Sequence, residues 1–418
     1  MKIFSFLIFP VAMSMGARAA DSQVASEGIN ALGVDLYKLH ASGEGNLLLS
    51  PYSIENALAM TYTGADGDTR AEMQRVLHLP GEDAAVHGSF QSLAFDLVAL
   101  KKRSEEWVKQ AKERGGPSTP IELNIANRLF AQKGYPLRPA FLSQVKESYS
   151  APVEEMDFSK APEPARAAIN QWVETETQKR IRDLIPKGAI TPDLRLVLVN
   201  ALYLRAPWEK QFSEHATKPE RFLVHGQDAA EVPTMSDKSS LGYDKRDGFQ
   251  IVTRPYLRDE LQFVILLPDD PKGLAAVERA LTPRMLQECA QLKPREVILH
   301  LPKFRIEPPT VQLGNDLKTL GMKTAFDDPK GSANFDRMAP RKPDDYLYIG
   351  AVLHKTFLAL DEKGTEAAAA TAVAMMAGAA IRRQPEPVEV RVDRPFIFAI
   401  QHVTSGACLF LGRVTDPR

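Results

Sequence analysis

The sequence predicts an α+β fold, with helices grouped around antiparallel or mixed sheets. Up to about residue 195 apolar residues recur mainly at helical spacing, and beyond it they form runs of strand length. Neither a repeat nor a long linker divides the chain, so residues 20–418 are expected to form a single domain.

The first segment is of a different kind. Lys2 is followed by the apolar run Ile3 to Met13 and by small residues ending Ala17-Arg18-Ala19. A basic start, a short apolar core and an A-x-A site describe a signal peptide, residues 1–19, cut after Ala19 or Ala20. The run is too short for a membrane anchor and carries Pro10. The mature protein is therefore expected to be exported and soluble, in a bacterial periplasm or the extracellular medium.

Two helices come next in the reading. Leu93, Leu97, Leu100 and Trp107-Val108 recur at helical spacing, as do Ile169, Trp172-Val173 and Ile181. The run from Leu196 to Leu204 is continuously apolar except for Asn200, as expected of a strand buried on both faces. Leu261 to Leu267, Val297 to Ile306, Pro395 to Ile400 and Ala407 to Val414 are further strands. Asn200 needs hydrogen-bond partners inside such a strand, so a buried polar network is expected around it.

Composition excludes some functions. At 418 residues, with 44% apolar and 25% charged residues, the chain can bury a sizeable core. A net charge of −1 argues against a general nucleic-acid binder. Two cysteines, Cys289 and Cys408, do not define a disulfide framework. No G-x-S-x-G, H-E-x-x-H, Walker or G-x-G-x-x-G pattern is present, and the eight histidines are scattered. Asp66-Gly67-Asp68 lacks the remaining ligands of a calcium loop and reads as a structural turn. No enzyme, metal or cofactor is therefore expected. Lys101, Lys102, Arg103, Lys109, Lys112 and Arg114 cluster near Trp107 with Glu105, Glu106 and Glu113 among them. The plain reading is a solvated helix face with i,i+4 pairs, and the sharper one is a polyanion site.

Ordered motifs then carry a resemblance. Asn46-Leu47-Leu48-Leu49-Ser50-Pro51-Tyr52-Ser53-Ile54 opens the series, followed by Asn127-Arg128-Leu129-Phe130 and Val199-Asn200-Ala201-Leu202-Tyr203 with Trp208-Glu209-Lys210-Gln211-Phe212. Val232-Pro233-Thr234-Met235, Leu301-Pro302-Lys303-Phe304, His354-Lys355, Asp361 to Ala368 and Arg394-Pro395-Phe396 complete it. In this order they resemble the serpins over essentially the whole mature chain. The resemblance implies three sheets, about nine helices and an exposed reactive loop, here about residues 362–390. It also implies a monomer that is consumed by its target. A serine or cysteine endopeptidase attacks the loop and forms an acyl-enzyme. The cut loop then enters the large sheet as a new strand, pulling the nucleophile out of the geometry that deacylation needs.

Site residues follow from the same resemblance. Glu362, Gly364, Thr365, Glu366, Ala367, Ala368, Ala369, Ala370 and Thr371 match the hinge of the loop. Ser50, Ser53, Asn200 and His354 match the polar group at the sheet's opening point. Trp208 and Lys303, with Glu362, match the place where insertion begins, an ion pair under an indole. By composition alone Glu366 to Met376 would be a helix, alanine being the best helix former, but the motifs upstream assign it to the loop. Its small side chains suit entry into a closing sheet, and Gly364 tolerates backbone angles that other residues avoid.

Counting seventeen residues from Glu362, as inhibitory members do, places the cut at Gly378-Ala379. An extended strand of that length spans roughly 55 Å, about the diameter of a compact chain of this size. Small residues there suit elastase-like or subtilisin-like proteases, and Met375, Met376 and Ala377 are alternative cuts. Arg382 and Arg383 are trypsin-like baits, at a cost of roughly 13 to 17 Å of slack. A non-inhibitory serpin acting as a binding or carrier protein is the remaining alternative, against which Thr365 and the alanine run speak.

Overall fold

The computed structural model describes residues 21–112, 119–149, 151–366 and 386–418. Among them are nine α-helices, three 3₁₀ turns and seventeen strands. No helix of the described residues is long and apolar enough to cross a membrane.

Strand Leu196–Pro207 is the axis of the molecule. Its alternating side chains feed two separate cores. Leu196, Leu198, Leu202 and Leu204 join a large cluster with helices Gln23–His40 and Pro51–Tyr62, while Val197, Val199 and Ala201 join a smaller one. That smaller core is closed by Ala165, Ile169 and Val173 of helix Pro162–Glu176. Period-two alternation thus becomes burial on both faces because each face has its own helix. Helix Pro51–Tyr62 is itself buried along its whole length. It starts where Ser50 caps it, accepting from the Ser53 backbone N–H at 3.3 Å, with Pro51 in the first turn.

The strand lies in an eight-stranded sheet. Glu122–Gln132 pairs with it antiparallel on one side and Ile349–Thr356 parallel on the other. The remaining strands form a nine-stranded network containing Phe396–His402, Cys408–Val414, Leu261–Pro268 and Pro294–Pro302, with Val388–Arg391 at its edge. The sheets expected from the resemblance appear as two hydrogen-bonded networks for a local reason. The 19-residue strand Asp228–Arg246 pairs in turn with Lys218–Val224, Pro294–Pro302 and Phe249–Pro255, joining them into one.

The run Val297 to Ile306 is divided at Lys303, with Pro294–Pro302 in the nine-stranded network and Phe304–Ile306 in the eight-stranded one. The other expected strands are present, and two further departures lie elsewhere. Glu122–Gln132 lies in the half read as mainly helical. Ile181 is not on the helix of Ile169 and Trp172, which ends at Glu176, because Gln178 and Lys179 take left-handed φ values of 50° and 63°. Ile181 still packs in the smaller core, from the segment that follows. Asp66 sits at the start of helix Gly67–Val76, and among the described residues no cluster of potential metal ligands occurs.

Candidate functional site

The centre of the sheet is polar where its surroundings are not. Parallel pairing sets His354 opposite Asn200, and antiparallel pairing sets Asn127 opposite Asn200 from the other side. The His354 Nδ1–H donates to Asn200 Oδ1 at 2.5 Å, while Nε2 accepts from the Ser50 backbone N–H at 3.1 Å. One nitrogen donating and one accepting defines a neutral imidazole. Burial pushes its pKa from 6.5 down to about 3, which keeps it so. Ser50 Oγ donates to the Leu409 carbonyl at 2.8 Å, and Ser53 Oγ donates to Asn127 Oδ1 at 2.6 Å. Asn127 Nδ2 returns a bond to the Ser53 carbonyl at 3.1 Å. Ser50, Ser53, Asn200 and His354 are all essentially inaccessible. Asn200 Nδ2 has no partner among the described residues, an omission that costs about 1–3 kcal/mol in a buried group.

The mouth of the sheet lies six residues further along the same strand. Lys303 Nζ meets Glu362 Oε2 at 2.8 Å, and Thr217 Oγ1 donates to Glu362 Oε1 at 2.7 Å. Burial works to raise the Glu362 pKa, but these hydrogen bonds, a backbone N–H and the Lys303 charge together outweigh it and hold the carboxyl below its ordinary value. Trp208 Nε1 donates to the Asp361 carbonyl at 3.0 Å, and the Trp208 and Lys363 backbones bond at 2.9 Å. The indole stacks on Tyr256 at 4.4 Å and receives the buried Arg254 guanidinium at 5.4 Å.

Beyond Glu362 the chain enters the sheet. Gly364 and Thr365 form a short strand, with Thr365 paired to Ala206 on one side and to Leu360 on the other. The Thr365 side chain is fully buried, its Oγ1 2.6 Å from the Tyr256 hydroxyl. Gly364 makes this entry sterically feasible: its φ is +145°, and a Cβ there would meet the Ala206 carbonyl oxygen at 2.1 Å. Glu366 follows with φ 49°, its backbone N–H donating to the Ala359 carbonyl at 2.9 Å and its carboxylate paired to Arg180.

The structure thus brings together the two groups of residues expected from the sequence, and adds Asn127, Tyr256, Arg254 and Arg180. Asn127 carried a usable signal, being polar within one of the quoted motifs. The other three are single residues in ordinary contexts. Hinge residues Ala367, Ala368, Ala369, Ala370 and Thr371, and the bonds at Ala377, Gly378, Ala379, Arg382 and Arg383, lie outside the described residues. In the basic cluster, Arg103 is engaged by Glu260 through two bonds of 2.8 and 2.7 Å. Arg114 and the Lys112 side chain lie outside the described residues. Cys289 and Cys408 are free and buried, the thiol of Cys289 pushed up to about 12 by burial.

Comparison with known proteins agrees with this geometry. The family model described as serpin (serine protease inhibitor) matches residues 27–417. A leukocyte elastase inhibitor of Bos taurus is 38% identical over 383 residues, which cover 89% of this chain and 93% of that protein. An uncharacterized serpin-like protein of Thermococcus kodakarensis is 36% identical over 393 residues, covering 93% of this chain and 85% of its own length. Among solved structures, Serpin48 of the insect Tenebrio molitor superposes with a TM-score of 0.73 at 29% identity, over 94% of this chain and 97% of its own. The chain belongs to the serpin family of serine protease inhibitors.

Proposed function

We propose that the protein is an exported suicide-substrate inhibitor of serine or cysteine endopeptidases, acting by insertion of its cut loop between strand Leu196–Pro207 on one side and strands Ile349–Thr356 and Leu358–Asp361 on the other. The single observation behind this reading is the rung at Gly364 and Thr365, which already occupies the top of that slot.

The register of that rung supports the mechanism. Carried on antiparallel, six residues past Thr365 is Thr371, opposite both Asn200 and His354, each six residues below its partner of the first rung. In that register Thr371 would share a face with Thr365, and its hydroxyl would suit the unpartnered Asn200 Nδ2. Insertion would then exchange the His354–Asn200 bond for bonds to the arriving strand. On the same count Gly378 falls opposite Asp193 and Leu347, just past the starts of the two strands at Leu196 and Ile349. A cut at Gly378-Ala379 fills the slot from mouth to far pole. On this count Arg382 and Arg383 would fall further beyond it, which supports elastase-like or subtilisin-like targets over trypsin-like ones.

The test is direct. The mature protein is incubated with elastase, subtilisin and trypsin, denaturant-resistant covalent complexes are sought on gels, and the released carboxyl-terminal peptide is weighed. A complex with elastase or subtilisin and a peptide beginning at Ala379 is expected. Complete cleavage with no complex across the panel would overturn the reading. Export is tested by the amino terminus of the protein recovered from its native host, which should begin at Ala20 or Asp21.

A further inference from the structure

We propose that Arg180 is a positioning residue for loop insertion: its ion pair with Glu366 keeps the first rung of the inserting strand formed before any bond is cut. The proposal rests on the insertion mechanism above.

Arg180 lies in the segment between helix Pro162–Glu176 and strand Leu196–Pro207, and that segment is strapped over the slot. Lys355 Nζ donates to the Arg182 carbonyl at 2.7 Å, and Thr310 Oγ1 donates to the Leu184 carbonyl at 2.8 Å. Asn170 brackets Ile185 with two bonds, of 3.0 and 2.8 Å. Ile181, Leu184 and Ile185 pack on Val197, Val199, Ala201 and Leu353, the residues of the two strands that flank the slot. The base from which Arg180 reaches the loop is therefore rigid.

Glu366 is where the loop leaves the sheet. Its N–H still bonds Ala359 on the strand side, but its φ of 49° ends the strand. A left-handed glutamate is uncommon and needs contacts that hold it. Arg180 supplies the ion pair, and Arg205, Arg305 and Tyr203 stand around the same carboxylate. The Arg180 and Arg305 guanidiniums lie 5.9 and 4.9 Å from the Phe357 ring, which positions both at the exit. With Thr365 seated and Glu366 pinned, the ends of the future strand pair are already together, and the entropy cost of bringing them together has been met.

The consequence concerns partition, not cleavage. Once the loop is cut, insertion competes with hydrolysis of the acyl-enzyme. A formed rung lets insertion start by extension from two placed residues; without it the loop must first find the slot. Arg180 should therefore govern how much of the inhibitor traps protease and how much is lost as cleaved product.

The mature wild type, Arg180→Gln, Glu366→Gln, the double variant and Arg180→Lys are titrated against subtilisin. The readouts are moles of inhibitor consumed per mole of protease trapped, the rate of loop cleavage, and the Tm of each uncleaved protein. Each glutamine variant is expected to raise the consumption ratio about two- to fivefold. Cleavage rate should change less than about twofold, because neither substitution alters a residue at the candidate cut sites. The double variant should be no worse than the worse single one, and Arg180→Lys should recover most of the loss. Unchanged ratios, or effects that add, would overturn the proposal while leaving the insertion reading intact. A wild type that forms no complex with subtilisin, elastase or trypsin would overturn both.

Discussion

Asn200 and His354 meet at 2.5 Å across two parallel strands, and the second nitrogen of the same imidazole receives the Ser50 backbone N–H. One side chain thereby joins the two strands between which the loop would insert to the helix packed behind them. Protonation would turn Nε2 into a donor facing another donor, so this junction tolerates only the neutral ring.

Acid should loosen it. The His354 pKa is lowered by burial to about 3 against 6.5 for an ordinary histidine, so its contribution to stability is complete above 6.5 and is lost as pH falls from 6.5 toward 3. The slope reaches about 1.4 kcal/mol per pH unit for one group. His87 and His402, each lowered to about 4 by burial, act in the same window. His354→Gln is expected to lower Tm at pH 7.5 yet flatten its fall between pH 6.5 and 4. Parallel Tm-against-pH curves for variant and wild type would count against the assignment.

At the mouth, Lys303→Met removes the ammonium and leaves a largely buried Glu362 carboxylate with Thr217 as its remaining side-chain partner. The expected loss is about 1–3 kcal/mol near neutral pH, partly recovered in Lys303→Met with Glu362→Gln. Because the Glu362 pKa is depressed, its stabilisation is present above the ordinary carboxylate range and fades as pH falls through the native value. Urea denaturation at pH 7.5 and pH 3.5 should therefore find the gap between wild type and Lys303→Met closing in acid.

Thr365→Arg tests the seat itself. The native side chain is fully buried against Tyr256, where a guanidinium would be desolvated close to the Arg254 charge. Covalent complex with elastase or subtilisin should fall at least about tenfold while the loop is still cut. Complex formation at the wild-type yield would count against entry at this rung.

Glu55 offers a check independent of function. It lies fully buried in helix Pro51–Tyr62, neither carboxylate oxygen has a hydrogen-bond partner among the described residues, and burial raises its pKa well above the ordinary value. A raised pKa means the favourable, protonated state is complete at low pH and is lost as pH rises past the unfolded value near 4.5. Glu55→Gln should be more stable than wild type by about 1–3 kcal/mol at pH 7.5, with the difference vanishing near pH 4. Thermal melts at the two pH values decide it.

The family, the order of the later strands and most of the polar centre were legible in the sequence. Asn200 stood out because a polar residue inside an apolar run must be satisfied by something. Glu122–Gln132 did not stand out, because Glu122, Asn124, Asn127, Arg128 and Gln132 dilute its apolar pattern and only pairing along Leu196–Pro207 makes it a strand. Helical spacing extends through Ile181 although the helix ends at Glu176, because periodicity does not reveal where left-handed residues end a helix.

By itself the sequence determined which side chains are available: a neutral-capable histidine, an asparagine in an apolar strand, a glycine before Thr365, a lysine to meet Glu362. Tertiary structure alone decided that Ser50 and His354, 304 residues apart, share a hydrogen bond. It also decided that Thr365 lies already between Ala206 and Leu360, with Arg180 closing on Glu366. Local pattern sets burial and element type through periods of two and 3.6 residues. Contacts between strands distant in sequence depend on register and on what packs behind them, and no local pattern encodes those.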